Sequence, residues 1–144
     1  MTEINFPEKL TAIGASAFER CSSLKEVTLP DSVTQIDDFA FTKCASLQKV
    51  VIGDGATKIG ARAFAECETL DNVKIGDYVE AIGNSCFADC CNLRKVYIGS
   101  RVKKLGLRTF YKCDNLEEVH LSVNTKFKEG TFLAVEKSHF TEKL

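Results

Sequence analysis

The sequence repeats itself every 23 residues, and this period limits the folds open to the chain more than any other feature. One short stretch returns five times, as AFERC, AFTKC, AFAEC, CFADC and TFYKC. The cysteines that end these copies are Cys21, Cys44, Cys67, Cys90 and Cys113. A unit of this length cannot enclose a hydrophobic core alone, so neighbouring units have to stack into a solenoid.

Each unit contains a strand pattern and a helix-like pattern. The segments LKEVTL, LQKVVI, LDNVKI, LRKVYI and LEEVHL alternate apolar and polar residues, which predicts a short strand with one face inward. The segment IGASAFERC places Ala17, Phe18 and Cys21 along one stripe, which predicts one or two turns of helix. We therefore expect an α/β repeat with a parallel sheet on the concave side and short helices on the convex side.

The repeat resembles the BspA-like class of leucine-rich repeats. The shared pattern, L-x-x-V-x-I-G/P-x-x-V-x-x-I-G-x-x-A-F-x-x-C, runs through residues 4–121 with cysteine in the ladder position. The resemblance implies a right-handed solenoid with a second short extended piece around segments such as VTQI. It also implies a place among surface or secreted proteins of bacteria and unicellular parasites that act in adhesion and host contact.

The length fits a single domain, 1–144, with about five repeats in residues 4–121 and a degenerate cap in residues 122–144. In this cap Phe127 and Phe132 come one residue early against the repeat, and Val135 replaces the cysteine. The uncapped N-terminal end predicts either a longer array or an edge available for self-association. No secretory signal or apolar span is present, so we expect the cell surface for a fragment of a secreted protein and the cytoplasm for a complete chain.

The cysteines raise the question of metal, disulfide or redox chemistry. Structural zinc requires converging ligands and local cysteine pairs, which the ladder positions lack, so we predict no metal site. Stacked repeats bring the ladder thiols within disulfide range, but parallel inward side chains are poorly directed for bridging. We predict that the ladder thiols and Cys86 are buried packing groups, with weak donors for loop carbonyls. Cys91 shares a column with polar residues, which predicts an exposed and reactive thiol.

Catalytic constellations find little support in the sequence. His120 lies in a predicted strand and His139 in the tail, 19 residues apart, and the adjacent acids Glu117 and Glu118 do not face each other as an acid–base pair would. The glycine-containing turns recur once per repeat, which favours a structural turn over a phosphate loop. We predict that the chain is not an enzyme and carries no cofactor.

The outward strand positions vary from repeat to repeat while the inward positions do not. Such variation fits a binding surface and fits an unused solvated face equally well. The centre of this concave face combines aromatic, aliphatic and basic side chains, a mixture that is enriched at protein interfaces. The candidate partner-binding residues are Lys49, Val51, Lys74, Lys95, Tyr97 and His120.

A second candidate surface is electrostatic, although the formal net charge is only −1. A run of cations in the last full repeats predicts a basic patch for a polyanion, a membrane surface or self-association. Nucleic acid is disfavoured because no aromatic residues are spaced along the run. The residues of this predicted basic patch are Arg94, Arg101, Lys103, Lys104, Arg108 and Lys112.

The sequence therefore favours a non-enzymatic binding or scaffold module that presents a curved surface to a protein or a glycan. The alternative is a small intracellular interaction or inhibitor protein, and polyanion binding through the basic patch is a minor one.

Overall fold

The computed structural model describes residues 3–122, 124–127, 130 and 131, and the backbone of residues 140–143. Within these residues the chain climbs in successive coils, and each full coil contributes one strand to each of two parallel sheets. The result is a parallel β-solenoid of leucine-rich-repeat type. The second short extended piece in each repeat, which the family resemblance implies, is present as the strands of the second sheet.

The first sheet has six strands in the order β11-β10-β8-β6-β4-β2. They are β2 (Glu26–Leu29), β4 (Lys49–Ile52), β6 (Asn72–Ile75), β8 (Lys95–Tyr97), β10 (Glu118–Ser122) and β11 (Phe140–Lys143). The second sheet has five two-residue strands in the order β1-β3-β5-β7-β9. They are β1 (Ala12–Ile13), β3 (Gln35–Ile36), β5 (Lys58–Ile59), β7 (Ala81–Ile82) and β9 (Lys104–Leu105).

The strands from β1 to β10 pair in register at the repeat interval, so each sequence column becomes a physical stack. Val27 lies beside Val50, and Val50 lies beside Val73. These valines are buried, while the residues between them along each strand point outward, as the alternating pattern predicts. The core is therefore a continuous column of apolar side chains between the two sheets and the turns that join them.

The prediction of short convex helices is wrong, because the described residues contain none. The AF-x-x-C segments form consecutive turns, and Ser16 and Arg20 of the first copy have φ angles of 56° and 60°. The equivalent residues of the next four repeats also have positive φ, between 55° and 61°. Left-handed residues at this spacing interrupt a helix.

Hydrogen bonding explains why turns replace the helix. The amides of Ser16, Phe18 and Arg20 donate to carbonyls of the next coil, at 2.8 to 3.0 Å. A helix would direct these amides along its own axis and leave the adjoining coil unsatisfied. The turns still direct the expected stripe inward, because Ala40, Phe41 and their equivalents in the following coils are buried.

A stack of phenylalanine rings runs through the core of the solenoid. From Phe18 to Phe110 five rings lie nearly parallel, with neighbouring centroids 5.1 to 5.6 Å apart and planes within 8°. Phe6 closes the N-terminal end with an edge-on contact to Phe18 at 5.8 Å. One column of identical side chains therefore fixes the spacing of successive coils on the turn side.

The last repeat departs from the column pattern. Phe127, expected in the buried isoleucine column, has 45% of its surface exposed. In the second sheet, the described part of this stretch pairs with the preceding coil through the bridge between Lys104 and Lys126, and the exposed Phe127 does not extend the buried column. Phe132 and Val135 lie outside the described residues. Across the part of the chain described here, no helix has the length and apolar character that crossing a membrane requires.

Candidate functional site

The outward side chains of β2, β4, β6, β8 and β10 form one continuous surface, which we call the broad face. Its first row, aligned strand by strand, is Glu26, Lys49, Asn72, Lys95 and Glu118. Its second row is Thr28, Val51, Lys74, Tyr97 and His120. All six residues predicted for partner binding therefore lie on this face, in two adjoining rows.

Positive charge gathers at the centre of the broad face, around Asn72. Lys49 and Lys95 occupy the neighbouring strands in the same row, each about 4.8 Å from Asn72 along the sheet. Lys74 lies two residues further along β6, about 6.6 Å away. Among the described residues, neither Lys49 nor Lys74 has a carboxylate within the 4.0 Å of an ion pair.

A shallow cleft of about 450 Å³ opens beside Lys74. Asn72, Tyr97, Asp54 and Asp77 also line it. The cleft is open to solvent and mixes a ring, an amide, an amine and two carboxylates. Such a surface can hold polar groups by hydrogen bonds and an apolar group against the tyrosine ring.

One end of the broad face is a small polar network. Glu118 accepts a hydrogen bond from His120 Nε2 and lies 3.7 Å from Lys95 Nζ. The hydrogen bond from His120, followed by the charge of Lys95, holds the pKa of Glu118 below its usual range. The His120 ring also packs against Tyr97, with centroids 5.7 Å apart. Tyr97 and His120 are thus positioned by neighbours, whereas the two central lysines extend into solvent.

The structure does not bring the predicted basic patch together. Arg94 precedes β8 and forms an ion pair with Asp71, with Nε 2.5 Å from Oδ1. Arg101 lies over the Tyr78 ring at 4.2 Å, in the turn between the two sheets.

The other four cations of this run lie elsewhere around the coil. Lys103 and Lys104 stand in and beside β9, while Arg108 and Lys112 lie near the Tyr111 ring on the turn side. The reason is that one 23-residue coil passes around the whole solenoid, so nearby positions in sequence face different directions.

The ladder cysteines are structural. Each thiol from the second copy onward donates to the phenylalanine carbonyl of the preceding coil, as Cys67 does to Phe41 at 3.2 Å and Cys90 to Phe64 at 3.1 Å. Burial raises the pKa of Cys90, and a hydrogen bond between neighbouring thiols, together with burial, raises that of Cys44. These thiols are therefore protonated donors at neutral pH, with little nucleophilic character.

Two cysteines reach the surface in part. Cys91, predicted to be exposed, is partly buried, and its sulfur lies 3.9 Å from the Glu68 carbonyl oxygen. Cys21, in the first coil, is also only partly buried, which corrects the prediction that all five ladder thiols are buried; the sequence pattern alone does not distinguish it from the other copies. Burial raises the pKa of Cys21. Cys86 is fully buried, as predicted.

The sequence analysis missed Asn72 and the two aspartates of the cleft. Asn72 lies between Lys49 and Lys95 in the first row, and its neutral amide carries no charge that would mark it in the sequence. Asp77 follows Lys74 by three residues, just beyond the end of β6, whereas Asp54 comes from the preceding coil and reaches the cleft through the stacking of coils. No three histidine, cysteine, aspartate or glutamate side chains of the described residues are grouped so that they could hold a metal ion.

Comparison with protein families gives one match. A model of the BspA type leucine rich repeat region fits the chain in six copies, across residues 1–117 and 34–141. The comparison with curated proteins gives no match.

Solved bacterial structures share the fold. A leucine rich repeat protein from T. pallidum superposes with a TM-score of 0.77 at 29% identity, over 88% of this chain and 61% of that one. A leucine rich cell surface protein from Faecalibacterium prausnitzii also gives 0.77, at 22% identity over 99% and 48%. The pneumococcal vaccine antigen PcpA gives 0.77 at 20% identity, over 94% and 38%. The chain thus spans less than two thirds of the length of these proteins.

Proposed function

The chain belongs to the BspA-type leucine-rich repeat family, and from this premise we propose that it is a non-enzymatic binding module that presents its broad face to a protein partner. The observation that supports the proposal is the contrast between columns. The inward columns hold nearly the same residue in every coil, whereas both outward rows change charge and size from strand to strand. The inward frame repeats from coil to coil, and the outward surface varies.

The composition of the broad face supports a protein as the partner. Tyr97 and Val51 offer aromatic and aliphatic contact on either side of Lys74, and basic groups adjoin them. Tyrosine anchors with charged neighbours are typical of the energetic centres of protein interfaces. The face is polar and solvated apart from these anchors, which fits a module that exists both free and bound.

The chemistry of the described residues supports a non-catalytic role. The ladder thiols are buried hydrogen-bond donors with raised pKa values. His120 is engaged with Glu118, and among the described residues no serine or cysteine side chain is hydrogen-bonded to either. A general acid–base or nucleophilic mechanism needs such a partner within hydrogen-bond reach.

We propose adhesion at a bacterial cell surface as the specific use of this module. The support is the family and the description of the Faecalibacterium prausnitzii protein, which shares the fold, as a cell surface protein. The broad face would then contact a protein outside the cell.

The test is capture of a partner on the immobilised chain, compared with two double variants. Tyr97→Ala with Lys74→Ala removes the central anchors of the broad face. Tyr78→Ala with Lys58→Ala makes the same chemical changes away from that face, because Tyr78 lies in the turn between the sheets and Lys58 in the second sheet.

A protein retained by the unmodified chain and by the control variant, but lost from the broad-face variant, is the expected result. The thermal midpoint of the broad-face variant should stay close to that of the unmodified chain, because both substituted side chains are outside the core. Equal capture by both variants would show that the partner uses another surface.

A further inference from the structure

The geometry of the broad face points to a narrower partner, and this inference rests on the function proposed above. We propose that the face recognises a single carboxylate, from an aspartate or glutamate in an extended segment of the partner protein, seated over Asn72 between Lys49, Lys74 and Lys95. Apolar residues of the same segment lie on Val51 and Tyr97.

The first argument is the convergence of donors. The Asn72 amide stands between two lysines of its own row, and a third lysine follows it along β6. Lysine side chains are long enough to bring three ammonium groups to one anion above the amide. Lys49 and Lys74 have no ion-pair partner among the described residues, so they are the cations of this face that a ligand can neutralise without displacing an internal contact.

The second argument concerns the number of negative charges. Acidic residues surround the three lysines, with Glu26 and Glu118 at the two ends of the row and Asp54 and Asp77 beyond Lys74. A polyanion such as a nucleic acid or a sulfated chain repeats its charges at close intervals and would place some of them over these acids. One isolated anionic group avoids that repulsion, since like charges brought together at an interface are unfavourable.

The third argument identifies the surroundings of the anion. Val51 and Tyr97 flank Lys74 in the second row, two strand spacings or about 9.6 Å apart. An extended chain covers this distance in about three residues. A peptide that crosses the strands therefore spans both anchors within the few residues that flank its acid. A small free anion would leave these anchors unused.

The cleft beside Lys74 adds a position for one further side chain. Tyr97 and the two aspartates line it, so a polar or basic residue of the partner fits there better than a second acid. The recognised segment is thus one acid with apolar neighbours, and further acids reduce the fit.

The experiment pans a displayed library of linear peptides against the 144-residue chain. The peptides have about 12 residues, which is long enough for an extended segment to cross the sheet. Parallel selections use Lys49→Gln with Lys74→Gln, Tyr97→Ala, and the control Lys58→Gln with Lys104→Gln, which changes two lysines of the second sheet. Enriched peptides are then synthesised with their acid as Glu or as Gln, and their affinities are measured at low and high salt.

The expected peptides carry one Asp or Glu between apolar residues. Both the Lys49/Lys74 variant and the Glu→Gln peptide should weaken binding by about tenfold, as expected for the loss of a charge-assisted contact, and high salt should weaken it as well. The Lys58/Lys104 control should bind like the unmodified chain.

Three results would overturn the inference. If the enriched peptides contained no acid and did not bind the Tyr97→Ala variant, carboxylate recognition would be disproved, but the broad face would still be the binding surface. Peptides whose affinity rises with each added acid would show a polyanion site instead. The inference would also be refuted if the same peptides were enriched on the unmodified chain and on the Lys49/Lys74 variant, or if no peptide were enriched on either. Binding that ignores every broad-face substitution would contradict the proposed function itself.

Discussion

The stacking of coils makes a sharp prediction about two glycines of one sequence column. A Cβ atom added at Gly83 would lie 2.5 Å from the Ala61 nitrogen and 2.7 Å from the Gly60 carbonyl carbon, both backbone atoms of the preceding coil. A Cβ added at Gly14, in the first coil, meets nothing within 4 Å. Gly83→Ala should therefore destabilise the fold, and Gly14→Ala should not.

The size of the loss in unfolding free energy for Gly83→Ala follows from how far the two coils must move apart to admit the Cβ atom. Ordinary contact begins at 3.4 Å, so the coils must separate near Gly83, where its amide donates to the Ile59 carbonyl at 2.9 Å. Overpacking of a well-packed interior costs about 1–3 kcal/mol. We expect the upper end, about 3 kcal/mol, because the obstructing atoms are backbone and neighbouring coils hold both sides. Gly14→Ala should gain about 0.4–1 kcal/mol by reducing the freedom of the unfolded chain.

The assay is urea unfolding of both variants and the unmodified chain, followed by far-ultraviolet circular dichroism and by tyrosine fluorescence, because the chain has no tryptophan. The Gly83→Ala midpoint should fall and the slope with urea should stay the same. Asp37 occupies this column in the second coil, which shows that a side chain is accommodated against the first coil. Unfolding free energies for Gly83→Ala and Gly14→Ala within about 0.5 kcal/mol of each other would refute the stacking argument.

Two other predictions concern the turns and the thiols. Ser85→Gly should raise the unfolding free energy by about 0.5–1 kcal/mol, because Ser85 has a φ of 56°; a loss of about 1 kcal/mol would instead indicate a helix there. Thiol labelling of the native chain should modify Cys91 first and Cys21 more slowly, because Cys21 has a raised pKa, and the other cysteines only after unfolding. Cys91→Ser should remove the fast phase, and several fast phases in that variant would contradict the assignment.

Sequence reasoning predicted the solenoid because the repeat fixes which residues stack. Val27, Val50 and Val73 stand in one column of the sequence and in one column of the structure, and Cys86 is buried where its column predicted. The helices were wrong for a physical reason. Inward residues at i, i+1 and i+4 fit a helix and also fit a pair of turns, and only the hydrogen bonds between coils decide between them.

Of the two candidate surfaces, only the partner-binding residues could be assigned to one face from the sequence. The partner-binding residues came from strand positions, where alternation fixes the face, so Lys49 and Tyr97 could be assigned to one surface from the sequence. The basic patch came from a run along the chain that crosses strands and turns, so its members face different sides. Asp54 reaches the cleft beside Lys74 only through the stacking of coils, which no pattern within one repeat indicates.

The stability of this fold depends on groups that do not reach the broad face, and this separation makes the binding proposals testable. Coils are joined by backbone hydrogen bonds, by the phenylalanine stack and by thiol donors such as Cys113, whose sulfur lies 3.1 Å from the Phe87 carbonyl oxygen. Removing the hydrogen-bond partner of a buried carbonyl lowers the unfolding free energy by about 1–3 kcal/mol. Substituting a surface lysine changes it by only about 0.5 kcal/mol in either direction. A lysine substitution on the broad face that abolishes binding while the fold survives therefore reports on recognition alone.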